Sequence, residues 1–156
     1  MAIEYLRNSE QTDVEYLAKN LRTEDEEEVI AGGFTPVFAL QFGLDHSSPC
    51  FTGLDPTTGN PAFMAGTSPC EYYTGFGRVW LLGTDAIARN PKRFLRHSHE
   101  IRDMLLAEYS AVYNYTYEKN TLHHNWLRWL GFTFLRRVEL TPNNFFYEFV
   151  ALPSTS

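Results

Sequence analysis

The chain has 156 residues, 44% of them hydrophobic and 15% aromatic, with a formal charge of -6; this suits a single α/β domain over 1–156 and leaves no length for two. The acidic balance excludes a general affinity for nucleic-acid backbones, and no run of about eighteen apolar residues is present to cross a membrane. Twelve Phe, nine Tyr and three Trp exceed what a small core needs, so a partner surface is expected.

The opening residues show neither the basic nor the apolar stretch of a leader, so synthesis in the cytoplasm is expected. Ile3 to Leu6 reads as a short strand. Ser9 to Asp13 then supplies helix-start residues ahead of Val14, Leu17, Ala18 and Leu21 at helical spacing. The acidic run Glu24 to Glu28, closed by Gly32 and Gly33, reads as a solvated helix face. Phe34 to Phe42 is apolar and favours helix. Cys50 to Asp55 and Pro61 to Gly66 flank Pro56-Thr57-Thr58-Gly59-Asn60, the composition of a hairpin reversal. Cys50 and Cys70 are expected as reduced thiols.

Arg78 to Gly83 is apolar enough to be a central strand buried on both faces. Asn90-Pro91 starts a long helix to about residue 109. Val112 to Tyr117 alternates as a strand, Thr121 to Leu130 is a helix stopped by Gly131, and Phe132 to Leu140 with Phe145 to Leu152 forms a closing hairpin around Pro142-Asn143-Asn144. His97, His99 and Glu100, and the pair His123-His124, lack the spacing of a metal site, so no metal is expected. Trp126 and Trp129 are expected in the core.

The segment Asn120-Thr121-Leu122-His123-His124-Asn125-Trp126-Leu127-Arg128-Trp129-Leu130-Gly131-Phe132 resembles the C-terminal motif of the GNAT (Gcn5-related N-acetyltransferase) family. There a strand ends in Asn, a short helix follows, and Gly-Phe opens the next strand. The resemblance implies an α/β domain with a mixed sheet of about six or seven strands and about four helices. It also implies an acetyl-CoA site at Leu82, Thr84, Lys92, Arg93 and Asn120.

Two departures bear on chemistry. The family cradles the cofactor pyrophosphate on a glycine-rich loop at a helix start, whereas Thr84 to Arg93 contains no glycine. The family commonly places a proton-donating Tyr where this chain has Leu127, which cannot donate. Glu71 and Tyr72 are the catalytic candidates that remain, with Tyr73, His97 and His99 offered by residue type alone.

Val79 to Asp85, Lys92-Arg93-Phe94, Met104 to Tyr109, Val112 to Tyr115 and Asn120-Thr121-Leu122-His123 are similar to the small GNAT-like internal virion proteins of T7-type podophages. That resemblance implies a virion-associated or assembly protein without acetyl transfer or cofactor, made in the host cytoplasm and carried in the particle. Its partners would be other virion proteins of the portal or internal core, with no membrane or direct nucleic-acid contact. The alternative is an acetyl-CoA-dependent N-acetyltransferase with an atypical pyrophosphate loop.

Overall fold

The computed structural model describes residues 3–153. Seven strands, β1 (Leu6–Asn8), β2 (Cys50–Leu54), β3 (Pro61–Pro69), β4 (Phe76–Gly83), β5 (Ala111–Tyr117), β6 (Thr133–Thr141) and β7 (Asn144–Ala151), form one sheet in the order β1-β2-β3-β4-β5-β7-β6. Every neighbouring pair is antiparallel except β4–β5, which is parallel. The helices are α1 (Gln11–Asn20), α2 (Thr23–Ala31), α3 (Pro36–His46), α4 (Asp85–Arg89), α5 (Pro91–Arg96), α6 (Ser98–Leu106) and α7 (Thr121–Trp129).

Alternation along the strands sorts the helices into two layers. Met64 and Leu82 pack under Val14, Leu17, Val29 and Leu40 of α1–α3. Phe63, Ala65 and Val79 pack under Ile87, Phe94, Ile101 and Trp126 of α4–α7. Local chemistry fixes the ends: Thr35 accepts the Phe38 N–H at the start of α3, and Gly131 adopts φ +86° after α7, where a side chain would be strained. Arg7 donates twice to Asp13, at 2.7 and 2.8 Å, and the Thr52 hydroxyl donates to the same carboxylate, tying β1, α1 and β2 together.

Several sequence expectations need correction. The first strand lies at Leu6–Asn8, with Ile3 buried in the turn before it. The expected helix from Pro91 to 109 is two helices, because His97 leaves helical geometry at φ -108°, ψ 10°, and a further short helix, α4, precedes them on a Thr84 cap. Seven short helices therefore stand where about four were expected. β4 is not buried throughout, since Phe76 and Arg78 are exposed. Trp126 is core, but Trp129 is 57% exposed, with only its Nε1–H held by the Ser98 hydroxyl.

Candidate functional site

The parallel pair β4–β5 is joined only at Phe76–Ala111, Gly77–Val112 and Arg78–Tyr113. Beyond these rungs each strand follows its other neighbour, β4 with β3 to Gly83 and β5 with β7 to Tyr117, so the two diverge as a V. The Asn114 amide spans the apex, donating to the Val79 carbonyl at 2.9 Å.

A cavity of about 390 Å³ passes through this gap. Phe34, just before α3, and Phe38 and Phe42 of α3 line one mouth, and Trp126 and Leu127 line the other side. The Gly83 N–H and C=O both face the gap, since they bond to α2 rather than to β3. Alternation along the antiparallel ladder turns Leu81, two residues earlier, to the same side, which leaves its peptide edge toward the cavity.

The open end of the V is strapped by α2. Asp25 Oδ2 accepts the Gly83 N–H at 2.9 Å, and the Gly83 carbonyl accepts the Arg22 N–H at 2.9 Å. Asp25 Oδ1 accepts from Arg22 at 2.8 Å and from the Asn120 amide at 3.0 Å, while Asn120 Oδ1 accepts from Arg22. All three side chains are at most 3% exposed. One turn along α2, Glu28 accepts the Tyr117 N–H at 2.6 Å and the Thr116 hydroxyl at 3.0 Å, and pairs with His123 at 3.5 Å. Asp25 and Glu28 thus share one helix face, each holding a backbone N–H of a different arm of the V. The acidic run is therefore not simply solvated: its inward pair is structural.

Burial pushes the Asp25 carboxyl upward, against the pull of Arg22. Burial also pushes Glu28 upward, but the His123 charge and the bonds it accepts bring it below the ordinary carboxyl range. Burial pulls His123 down, and the Glu28 carboxylate more than offsets this, so His123 is raised. His124 faces the Tyr117 carbonyl, and burial lowers it.

Among the expected cofactor residues, Leu82 and Thr84 lie at the end of β4 and Asn120 at the start of α7, but Lys92 and Arg93 stand apart. Lys92 is exposed, and Arg93 covers the Tyr5 ring at 4.3 Å beside a separate hollow of about 30 Å³. Glu71, Tyr72 and Tyr73 are exposed before β4, at the joined end of the V, and do not line the cavity. His97 packs edge-on to Tyr5, and His99 is exposed on α6. Leu127 does line the cavity, as an apolar wall. Among the described residues no group of three or more His, Cys, Asp or Glu is placed to hold a metal. Both cysteines are free thiols.

The residues that sequence reasoning missed are Arg22, Asp25, Glu28 and His123. The only signal was the i, i+3 spacing of Asp25 and Glu28, which the three exposed neighbours Glu24, Glu26 and Glu27 disguise as a charge run.

Several polar groups at the end of β4 are engaged within the protein. Gly83 N–H is bonded to Asp25, Thr84 N–H to the Ala62 carbonyl at 2.8 Å, and Ala86 N–H to the Thr84 hydroxyl at 3.2 Å. Asn120 spends both ends of its amide on Asp25 and Arg22. The space between α6 and α7 is bridged by Trp129 to Ser98, and Phe94 of α5 packs at a tilt against Trp126, with ring centroids 5.1 Å apart. The residues present do not fit a pyrophosphate at the end of β4.

No protein-family model matches the sequence, and no curated protein matches it. Solved structures do match in fold. An aminoglycoside acetyltransferase, AAC(6')-Ib, in complex with ribostamycin and coenzyme A superposes with a TM-score of 0.67 at 17% identity, covering 94% of this chain and 92% of that one. A GCN5-related N-acetyltransferase from Kribbella flavida gives 0.65 at 17% identity, covering 94% and 96%. A GNAT-family acetyltransferase from Bacillus anthracis gives 0.67 at 9% identity, covering 97% of both chains. Coverage at this level with so little identity establishes architecture and not activity. The chain has the GNAT N-acetyltransferase fold from end to end of its sheet.

Proposed function

We propose that this chain is a binding or assembly protein built on the N-acetyltransferase scaffold, that it does not transfer acyl groups, and that its partners are other proteins of a phage particle, at the portal or internal core. The observation that carries the reading is the bond from Gly83 N–H to the buried Asp25 carboxylate. A group of this kind is useful to a phosphate only while it is free. Releasing it would leave the buried Asp25 carboxylate with one donor fewer, a cost of about 1–3 kcal/mol. Loss of the proton donor at Leu127 points the same way. The similarity of segments between residues 78 and 132 to podophage internal virion proteins supports the choice of partner.

The test is calorimetric titration of acetyl-CoA into the protein up to a few hundred micromolar, roughly the upper part of the usual cofactor range. No saturable heat is expected; saturable one-to-one binding would overturn the reading. The partner assignment is tested separately by mass spectrometry of gradient-purified particles, which should contain the chain in stoichiometric amount.

A second reading, an acetyl-CoA-dependent N-acetyltransferase, is favoured by the splayed β4–β5 cleft with the Leu81 edge turned into it, and the structural likenesses support it more directly than they support the particle role. Under it the Leu81 peptide would hold the thioester arm, and the α2 strap would have to loosen at Gly83. Thiol release from acetyl-CoA above background, with a panel of primary amines, would establish it.

A further inference from the structure

Charge and apolar surface are divided unevenly between the two helical layers. On the α1–α3 side, Ile30, Phe34, Val37 and Phe38 are 56, 54, 59 and 53% exposed. Phe34, Phe38, Phe42 and His46 form a continuous ladder of rings with centroid spacings of 5.6, 6.1 and 4.2 Å. Such a contiguous apolar strip on a surface marks an interface. The neighbouring helix adds acidic charge: Glu26 and Glu27 of α2, one turn before the exposed Ile30, are exposed and have no ion-pair partner among the described residues.

The opposite layer has the complementary sign. From Ala86 to His99 there is no acidic residue, while Arg89, Lys92, Arg93 and Arg96 are present in a chain of net charge -6. Arg89 approaches Asp55 only to 3.9 Å, and Lys92 and Arg96 are exposed with no carboxylate partner among the described residues. Ala88 and Pro91 are exposed between them.

We propose that the α3 ring ladder with the neighbouring α2 carboxylates docks onto α4–α5 of a second copy of this chain. Ladder against ladder would set Glu26 and Glu27 against their own equivalents, which is repulsive. The α4–α5 surface instead brings cations that stack on ring faces and pair with carboxylates. Since the two patches differ and lie on opposite layers, the contact is head-to-tail and each copy keeps one patch free, so it repeats into a ring or a filament. This goes beyond the proposed binding role and does not depend on whether acyl transfer occurs.

The test is sedimentation velocity of the full chain between about 10 µM and about 1 mM, the range of weak interfaces. At low salt the weight-average sedimentation coefficient should climb with concentration, and at about 0.5 M salt, where screening is nearly complete, it should return to that of the monomer. Lys92→Glu with Arg96→Glu, and separately Glu26→Lys with Glu27→Lys, should each raise the dissociation constant by about tenfold or more. Mixing the two reversed proteins should restore association, because each altered patch then meets its complement. Unchanged melting temperatures would show that both variants fold. A wild type that stays monomeric at low salt, association indifferent to the reversals, or a mixture that stays dissociated overturns the proposal.

Discussion

Replacing Asp25 by alanine removes the acceptor of three donors at once: the Gly83 N–H, the Arg22 guanidinium and the Asn120 amide. Arg22 is 3% exposed, so its charge cannot turn to water. Breaking a buried pair in this way costs ~3–5 kcal/mol. For a domain of this size that is a fall in melting temperature of roughly 6–20 °C. Asp25→Asn keeps an acceptor for Gly83 and should cost less, about 1–3 kcal/mol. Denaturant unfolding of Arg22→Met, Asp25→Asn and the double variant would then give a coupling of at least ~1 kcal/mol, the double costing less than the sum. An Asp25→Ala protein within ~1 kcal/mol of wild type, with an additive cycle, would refute the claim that α2 straps the V.

The Glu28–His123 pair predicts a pH profile. Glu28 is held below its ordinary 4.5, so its contribution is present above that value and is lost as pH falls through the lowered one. His123 is raised above 6.5, so its contribution is complete below 6.5 and is lost as pH rises through the raised value. The pair's own contribution to thermal stability is therefore complete between 4.5 and 6.5 and declines on the alkaline side, and His123→Asn should flatten that decline; an unchanged alkaline slope would count against the pair. Gly43→Ala should cost ~1–3 kcal/mol despite its gain in helix propensity, because the new Cβ would overlap the Trp80 ring, whose Nε1–H is fixed on the Ser47 hydroxyl at 2.8 Å. A neutral Gly43→Ala in chemical denaturation would mean that α3 does not rest on β4. Trp129→Phe should lose about 1 kcal/mol through the Ser98 bond alone, since the ring is largely in solvent; a loss several times larger in the same assay would place it in the core.

Much of the architecture was legible because local and long-range signals agree. The hairpin turn at Pro56 to Asn60, the apolar β4 and the helix ended by Gly131 each carry their own chemistry, and their order is that of the observed sheet. The long helix was misjudged because apolar spacing continues across His97 while the backbone does not. The candidate site was nearly illegible. A carboxylate in a run of five gives no local sign of whether it faces water, and the partners of Asp25, Gly83 and Asn120, lie 58 and 95 residues away. Glu71 and Tyr72 lie at the joined end of the V and do not line the cavity, and residue type says nothing of which end of a V a loop occupies. Asn120, expected at a strand end beside the cofactor, spends its amide inside the protein.

The central claim is that the backbone donors at the end of β4 are engaged by the protein itself, and an amide-resolved NMR titration with acetyl-CoA to about 1 mM, the top of the usual cofactor range, tests it most directly. The Gly83, Thr84 and Tyr117 amides should exchange slowly with solvent and show no saturable shift as acetyl-CoA is added. Rapid exchange at Gly83 in the free protein, or a saturable shift of Gly83 and Thr84 on titration, would contradict the account.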